Sequence, residues 1–149
     1  MKSKFNSNIR ILRKDFNISQ LQLAKESGLG KSAISYWELG TDTPNAKEII
    51  ILSRYFQVST DYILKMSNDS TPVYRADYLD CDMSVFNKRL KELRLKNNLS
   101  QCQLAKNVNL SQPAIYYWEL GKRTPNAQVI VTLAKYFGVT TDYLLGESD

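Results

Sequence analysis

With 149 residues, an apolar fraction of 43% and two cysteines, the chain is either one medium domain or two very small ones. No run approaches the roughly 18 apolar residues of a membrane span, and the basic N-terminus lacks the apolar core of a secretion signal, so a cytoplasmic chain without a membrane partner is expected. Cys81 and Cys102 are too few and too isolated for a disulfide scaffold or a zinc site, and a net charge of +5 suits nucleic acid without requiring it.

That charge is unevenly spread. Residues 1–64 carry nine Lys/Arg against six Asp/Glu, residues 65–83 two against four, and residues 84–149 nine against five. Two basic blocks therefore flank an acidic one. The same division appears as self-similarity: displaced by 81 positions, Phe5–Leu64 falls on Phe86–Leu145 without a gap, and about half of the pairs are identical. The longest block sets AISYWELGTDTPNA (33–46) against AIYYWELGKRTPNA (114–127). The chain is a duplicated unit, expected as domains at 1–66 and 84–149 with a linker at 67–83.

Each unit reads as five helices. Phe5, Ile9, Leu12 and Phe16 form one stripe at helical spacing, repeated by Phe86, Leu90 and Leu93. Ser19 with Gln22, and Ser100 with Gln103, have the capping-box spacing that opens a second helix. A short turn (Gly28-Leu-Gly30 or Asn109-Leu-Ser111) leads to a third helix that stops at Gly40 or Gly121, where glycine suits the left-handed residue after a helix. Thr43-Pro44 and Thr124-Pro125 are read as an N-cap with proline at the first helical position. The fourth helix turns Ile49, Leu52, Ser53 and Phe56 inward, as do Ile130, Leu133, Ala134 and Phe137 in the copy. Ser59-Thr60-Asp61 and Thr140-Thr141-Asp142 cap a fifth. With no β alternation anywhere in either unit, the expected fold is all-α.

Placed on a helix at 100° per residue, Ala33, Ile34 and Trp37 share one face of the third helix, while Lys31, Ser32, Ser35, Tyr36 and Leu39 share the other. The outer face of the copy is Gln112, Pro113, Tyr116, Tyr117 and Leu120. Such a face is either a plain solvated helix surface or one that fits the major groove, where Lys31 can donate to guanine and Gln112 can pair with adenine.

The ordered set S-Q-x-Q-L-A, a turn, A-I-x-Y-W-E-L-G, T-P-N-A and T-D-Y-[IL]-L, found twice, resembles the phage-repressor (Cro-type, Xre-type, lambda-repressor-like) helix-turn-helix family. The resemblance implies a DNA-binding transcription regulator, as a repressor, whose recognition helices are residues 31–39 and 112–120. It also implies that Gln20 and Gln101 meet a phosphate, that Gln101 and Gln112 brace each other, and that Arg13 with Glu38 and Arg94 with Glu119 are structural ion pairs. Basic residues after the recognition helix commonly meet phosphates in this family. Lys122 and Arg123 stand there in the second repeat, but Thr41 and Asp42 in the first.

Double-stranded DNA is thus the expected partner, gripped more firmly by repeat 2. The apolar Ile11 and Ile51 of repeat 1, polar in the copy, leave room for a second copy or another protein to dock there. The alternative function is a protein-interaction module that keeps the fold without binding DNA. An enzyme is not expected: the sequence has no histidine, no glycine-rich phosphate loop and no metal-ligand cluster, and no cofactor is implied. The linker is read as mobile at first, with Val73, Tyr74, Tyr78, Leu79 and Met83 available to dock later. It is long enough for one chain to cover two successive half-sites as a covalent pseudo-dimer.

Overall fold

The computed structural model of the chain describes residues 4–72 and 83–148, which leaves Val73, Tyr74, Tyr78 and Leu79 of the linker outside the described residues. Among the described residues the secondary structure is helical, apart from one isolated antiparallel bridge between Asn45 and Asn126. Repeat 1 contains α1 (Ile9–Asp15), α2 (Gln20–Ser27), α3 (Lys31–Leu39), α4 (Ala46–Phe56) and α5 (Thr60–Ile63). Repeat 2 contains α6 (Ser84–Lys96), α7 (Gln101–Asn107), α8 (Gln112–Leu120), α9 (Ala127–Phe137) and α10 (Thr141–Leu145).

The inward stripes build the core. Ile9, Leu12, Leu23, Ile34, Trp37, Ile49, Leu52 and Phe56 are buried in repeat 1, and Phe86, Leu90, Leu104, Ile115, Trp118, Ile130 and Leu133 in repeat 2. A fully buried aliphatic side chain of this size contributes about 1.5–3 kcal/mol relative to exposure, so tertiary packing, not propensity, holds helices this short.

Three local expectations are corrected. The first helix of repeat 1 starts at Ile9, so Phe5 precedes it. Phe16, its C-cap residue, is 49% exposed and rests edge-on against Phe56 rather than inside the core. The prolines do not occupy the first helical position. Asn45 is the N-cap of α4, accepting from the Glu48 N–H while the Glu48 carboxylate accepts from the Asn45 N–H, and Asn126 caps α9 in the same way from Val129. Pro44 and Pro125 sit one step earlier, because the asparagine side chain is the better cap and the proline carbonyls are used elsewhere. Of the two expected capping boxes, Ser100–Gln103 closes in both directions, whereas the Gln22 side chain bonds Glu26 instead.

Residues read as the free start of the linker fold back on repeat 1: the Ser59 N–H donates to the Ser70 carbonyl and the Ser59 hydroxyl to the Asp69 carbonyl. The two repeats also touch. The Ala46 N–H donates to the Pro125 carbonyl at 2.9 Å and the Ala127 N–H to the Pro44 carbonyl at 2.8 Å, beside α4 packed on α9 and α5 packed on α10.

Candidate nucleic-acid interface

Each recognition helix is held from behind by one chain of side chains. In repeat 2 the buried Arg94 of α6 donates from Nε to Glu119 Oε1 at 2.6 Å and from Nη2 to Oε2 at 3.0 Å, while Nη1 holds the Leu99 carbonyl in the turn before α7. Glu119 then accepts from Gln101 Nε2 at 3.0 Å, and Gln101 Oε1 accepts from Gln112 Nε2 at 2.9 Å. This path runs from α6 through α8 and α7 to the first residue of α8. The start of the recognition helix is therefore fixed by four side chains rather than by backbone alone.

Repeat 1 shares the first three links. Arg13 Nε donates to Glu38 Oε1 at 2.6 Å, its Nη2 to Oε2 at 3.0 Å, and its Nη1 to the Ile18 carbonyl. Gln20 Nε2 donates to Glu38 Oε2 at 2.9 Å. Lys31 stands where repeat 2 has Gln112, and it makes no fourth link to Gln20. Lys31 is exposed, and with Gln20, Ser32, Ser35 and Tyr36 it lines a shallow depression of about 180 Å³.

The electrostatics follow the geometry. Hydrogen bonding to Glu38 and to Glu119 pushes the Arg13 and Arg94 guanidiniums further up from their ordinary value. Burial pushes Glu38 up, but the hydrogen bonds from Arg13 and Gln20 and the charges of Arg13 and Arg10 outweigh it, leaving the carboxyl below its usual range. The Arg13–Glu38 pair is ionised at neutral pH.

On the outer faces, Lys31, Ser32, Tyr36 and Leu39 of α3 are exposed and Ser35 is half-buried; on α8, Pro113, Tyr116 and Leu120 are exposed and Gln112 and Tyr117 half-buried. Ile34, Trp37, Ile115 and Trp118 face the core. Gly40 and Gly121 end these helices with φ of +74° and +77°, and a Cβ on Gly40 would stand 2.5 Å from the Phe5 carbonyl oxygen, so the stop needs glycine there.

Beyond the helices the repeats part. Exposed Lys122 and Arg123 follow α8, and the Arg123 guanidinium lies 4.5 Å over the Tyr117 ring, which in turn meets Tyr116 edge-on. In repeat 1 the Asp42 carboxylate is turned into its own loop, accepting from the Thr43 N–H at 2.8 Å. Ile11 is 48% exposed, as a docking face requires, but Ile51 is half-buried.

Two features went unread in the sequence. Arg10 joins Arg13, Gln20, Ser35, Glu38 and Leu39 in a surface depression, and the cation retained at its counterpart, Lys91, was the available signal. Asp61 and Asp142, expected to cap their own helices, instead reach into the opposite repeat.

A helix-turn-helix family model matches residues 9–63 and again 90–144. Among curated relatives, the transcriptional activator BcrR of Enterococcus faecalis is 45% identical over 60 residues, covering 40% of this chain and 29% of its own length. Repressor protein C2 of Salmonella phage P22 is 40% identical over 65 residues, covering 44% and 30%. The transcriptional regulator DicA of Escherichia coli strain K12 is 30% identical over 95 residues, covering 64% and 68%. The match to BcrR and to the P22 repressor spans less than a third of each protein. Among the described residues no helix is long and apolar enough to cross a membrane. With both matched stretches falling on the two five-helix units, the chain belongs to the Xre-type helix-turn-helix family, in two tandem copies.

Proposed function

We propose that the chain is a sequence-specific double-stranded DNA-binding transcription regulator that acts as a repressor, laying α3 and α8 in the major groove. The observation that carries this reading is the bracing of each recognition helix from behind, reaching its first residue in repeat 2, with its outer side chains left to solvent. Backbone amides and glutamines at a helix start suit a phosphate, and the side chains just beyond suit base edges. Gln20 and Gln101 meet phosphates; Lys31, Ser32, Ser35 and Tyr36 read one half-site, and Gln112, Pro113, Tyr116 and Tyr117 the other. Lys122 and Arg123 add phosphate contacts in repeat 2 only, with Tyr117 holding Arg123 in place. Repression by occupancy needs nothing beyond two such heads.

Selection from a random duplex pool, followed by gel shifts against scrambled competitor, tests the reading. One enriched site bound far more tightly than competitor is expected; binding indifferent to sequence removes it. The exposed Ile11, and an exposed Asp42 standing where repeat 2 has Arg123, favour a second reading, a module that binds protein through repeat 1. No enriched site, with a protein partner recovered on repeat 1, would establish that reading instead.

A further inference from the structure

The contacts between the repeats have a property that a chance packing lacks. Residues 81 positions apart are equivalent, and at two separate places an equivalent pair touches itself. Asn45 bridges Asn126 in antiparallel sense, and the Thr60 hydroxyl lies 2.8 Å from the Thr141 hydroxyl. The hydrogen bonds beside these two places occur in exchanged pairs. Pro44 accepts from Ala127 as Pro125 accepts from Ala46. Asp142 accepts from the N–H groups of Thr60 and Asp61, at 2.8 and 3.3 Å, as Asp61 accepts from the Thr141 N–H at 2.8 Å. The two threonine hydroxyls bond the opposite aspartates as well. Self-contact together with exchange is the signature of a two-fold axis; a head-to-tail or translated arrangement cannot produce it. Each aspartate thus closes the start of the other repeat's last helix, and α5 and α10, of four and five residues, are too short to persist without such help.

The symmetry breaks at the rim. Arg54 Nη2 meets Glu147 Oε1 at 3.0 Å, whereas the equivalent positions hold Lys135 and Met66, which form no ion pair.

We infer that the two repeats of one chain form a closed two-fold pair, so that a single chain, not two, fills an operator whose half-sites are inverted and unequal. The inference rests on the DNA-binding reading above and adds polarity and stoichiometry to it. A two-fold axis turns α3 and α8 in opposite senses, so half-sites read by them run toward each other. Their outer residues differ, so the halves are not copies. The surface that pairs the repeats is already occupied within the chain.

A disulfide between the bridged positions tests this directly. Asn45 and Asn126 form the narrow type of antiparallel pair, whose Cα atoms stand about 4.5 Å apart, within disulfide range. Asn45→Cys with Asn126→Cys is made in the full chain carrying Cys81→Ser and Cys102→Ser, and the oxidised and reduced forms are compared so that loss of the two caps cancels. Oxidation should close the bond within one chain, leave a monomeric mass, and keep affinity for the selected duplex within about threefold of the reduced form. The complex should contain one chain per duplex. Turning one half-site around without changing its bases should weaken binding roughly 100-fold, since only one head then engages. Four results overturn the inference: no bond, a bond between chains, a bond that abolishes binding seen in the reduced form, or two chains per site. If the parent and both forms bind no duplex at all, the DNA-binding reading fails and with it the assignment of an operator. The mass and the site of the cross-link then still decide whether the repeats pair within the chain.

Discussion

The two repeats are built alike behind the recognition helix and differently in front of it. Behind, Arg13–Glu38–Gln20 and Arg94–Glu119–Gln101 match link for link, with the leading Nε–Oε1 bond at 2.6 Å in both. In front, repeat 2 adds the Gln101–Gln112 brace and a cation laid over Tyr117, while repeat 1 has a free lysine and an aspartate folded into its loop. Groups that hold the fold were kept through duplication, whereas the outward positions diverged at Lys31/Gln112, Ser32/Pro113 and Ser35/Tyr116. The lesson is that stability is shared between the halves while recognition is not.

The shared part is tested by the largest expected effect. Glu119→Ala strands a guanidinium that is only 9% exposed and should cost about 3 kcal/mol, lowering the melting temperature by many degrees. Glu38→Ala should cost a similar amount. Thermal unfolding of both variants checks this, and a variant melting within a degree of the parent would remove its pair from the scaffold.

The unshared part predicts effects confined to one half-site. Gln112→Ala should relax base preference at one position of its half-site, by about 1–3 kcal/mol there, and leave the other half unchanged. Lys31→Ala should do the reverse. Affinities for duplexes substituted one base pair at a time separate the two, and equal changes in both halves would mean that the heads are not independent readers.

The contact between repeats gives a smaller effect. Arg54→Ala removes a tie that has no counterpart across the axis, at a cost of about 2 kcal/mol, since the arginine is partly exposed while the Glu147 carboxylate left behind is only 5% exposed. Lys135→Ala should cost less than that by chemical denaturation. Equal losses would mean that the asymmetry at the rim carries no weight.

Smallest is the pH response. Glu38 is held below its ordinary range, so its contribution is present at neutral pH and declines as pH falls through the lowered value. Glu38→Gln should therefore lose less stability than the parent between about pH 5 and pH 3, measured as melting temperature against pH. An equal or steeper decline would show that Glu38 is not held by its cations.

The helices were legible because their signals are local. Caps at Ser19, Ser100, Ser59 and Thr140, stops at Gly40 and Gly121, and the inward positions of α3 and α8 each depend on residues within one or two turns. The errors arose where two local signals competed or the partner lay far away. Pro44 suits a first helical position, yet Asn45 beside it caps better. Phe16 fits the spacing of a stripe that ends before reaching it. Asp61 and Asp142 look the same in sequence whether they cap their own helix or one about 80 residues distant. The pairing of the repeats was invisible for that reason, and the linker suggested reach where the fold brings the heads together. For the candidate interface, the outward positions of α3 and α8 were legible and most of the bracing was implied by resemblance. The Arg123–Tyr117 stack and the nearness of Arg10 to Glu38 needed three-dimensional neighbours.

Two heads of unequal phosphate grip would leave their mark in the salt dependence of DNA binding. Affinity for the selected duplex is followed against salt concentration for the parent, for Lys122→Ala with Arg123→Ala, and for Thr41→Ala with Asp42→Ala. The first double variant should bind every duplex more weakly and lose about 2 from the slope of log affinity against log salt, near 0.9 per lost contact. The second should keep the parental slope and bind as tightly or more tightly, since a carboxylate near the backbone is gone. Identical behaviour of the two variants would contradict the unequal grip, and a parent whose binding ignores salt would contradict DNA binding by this face altogether.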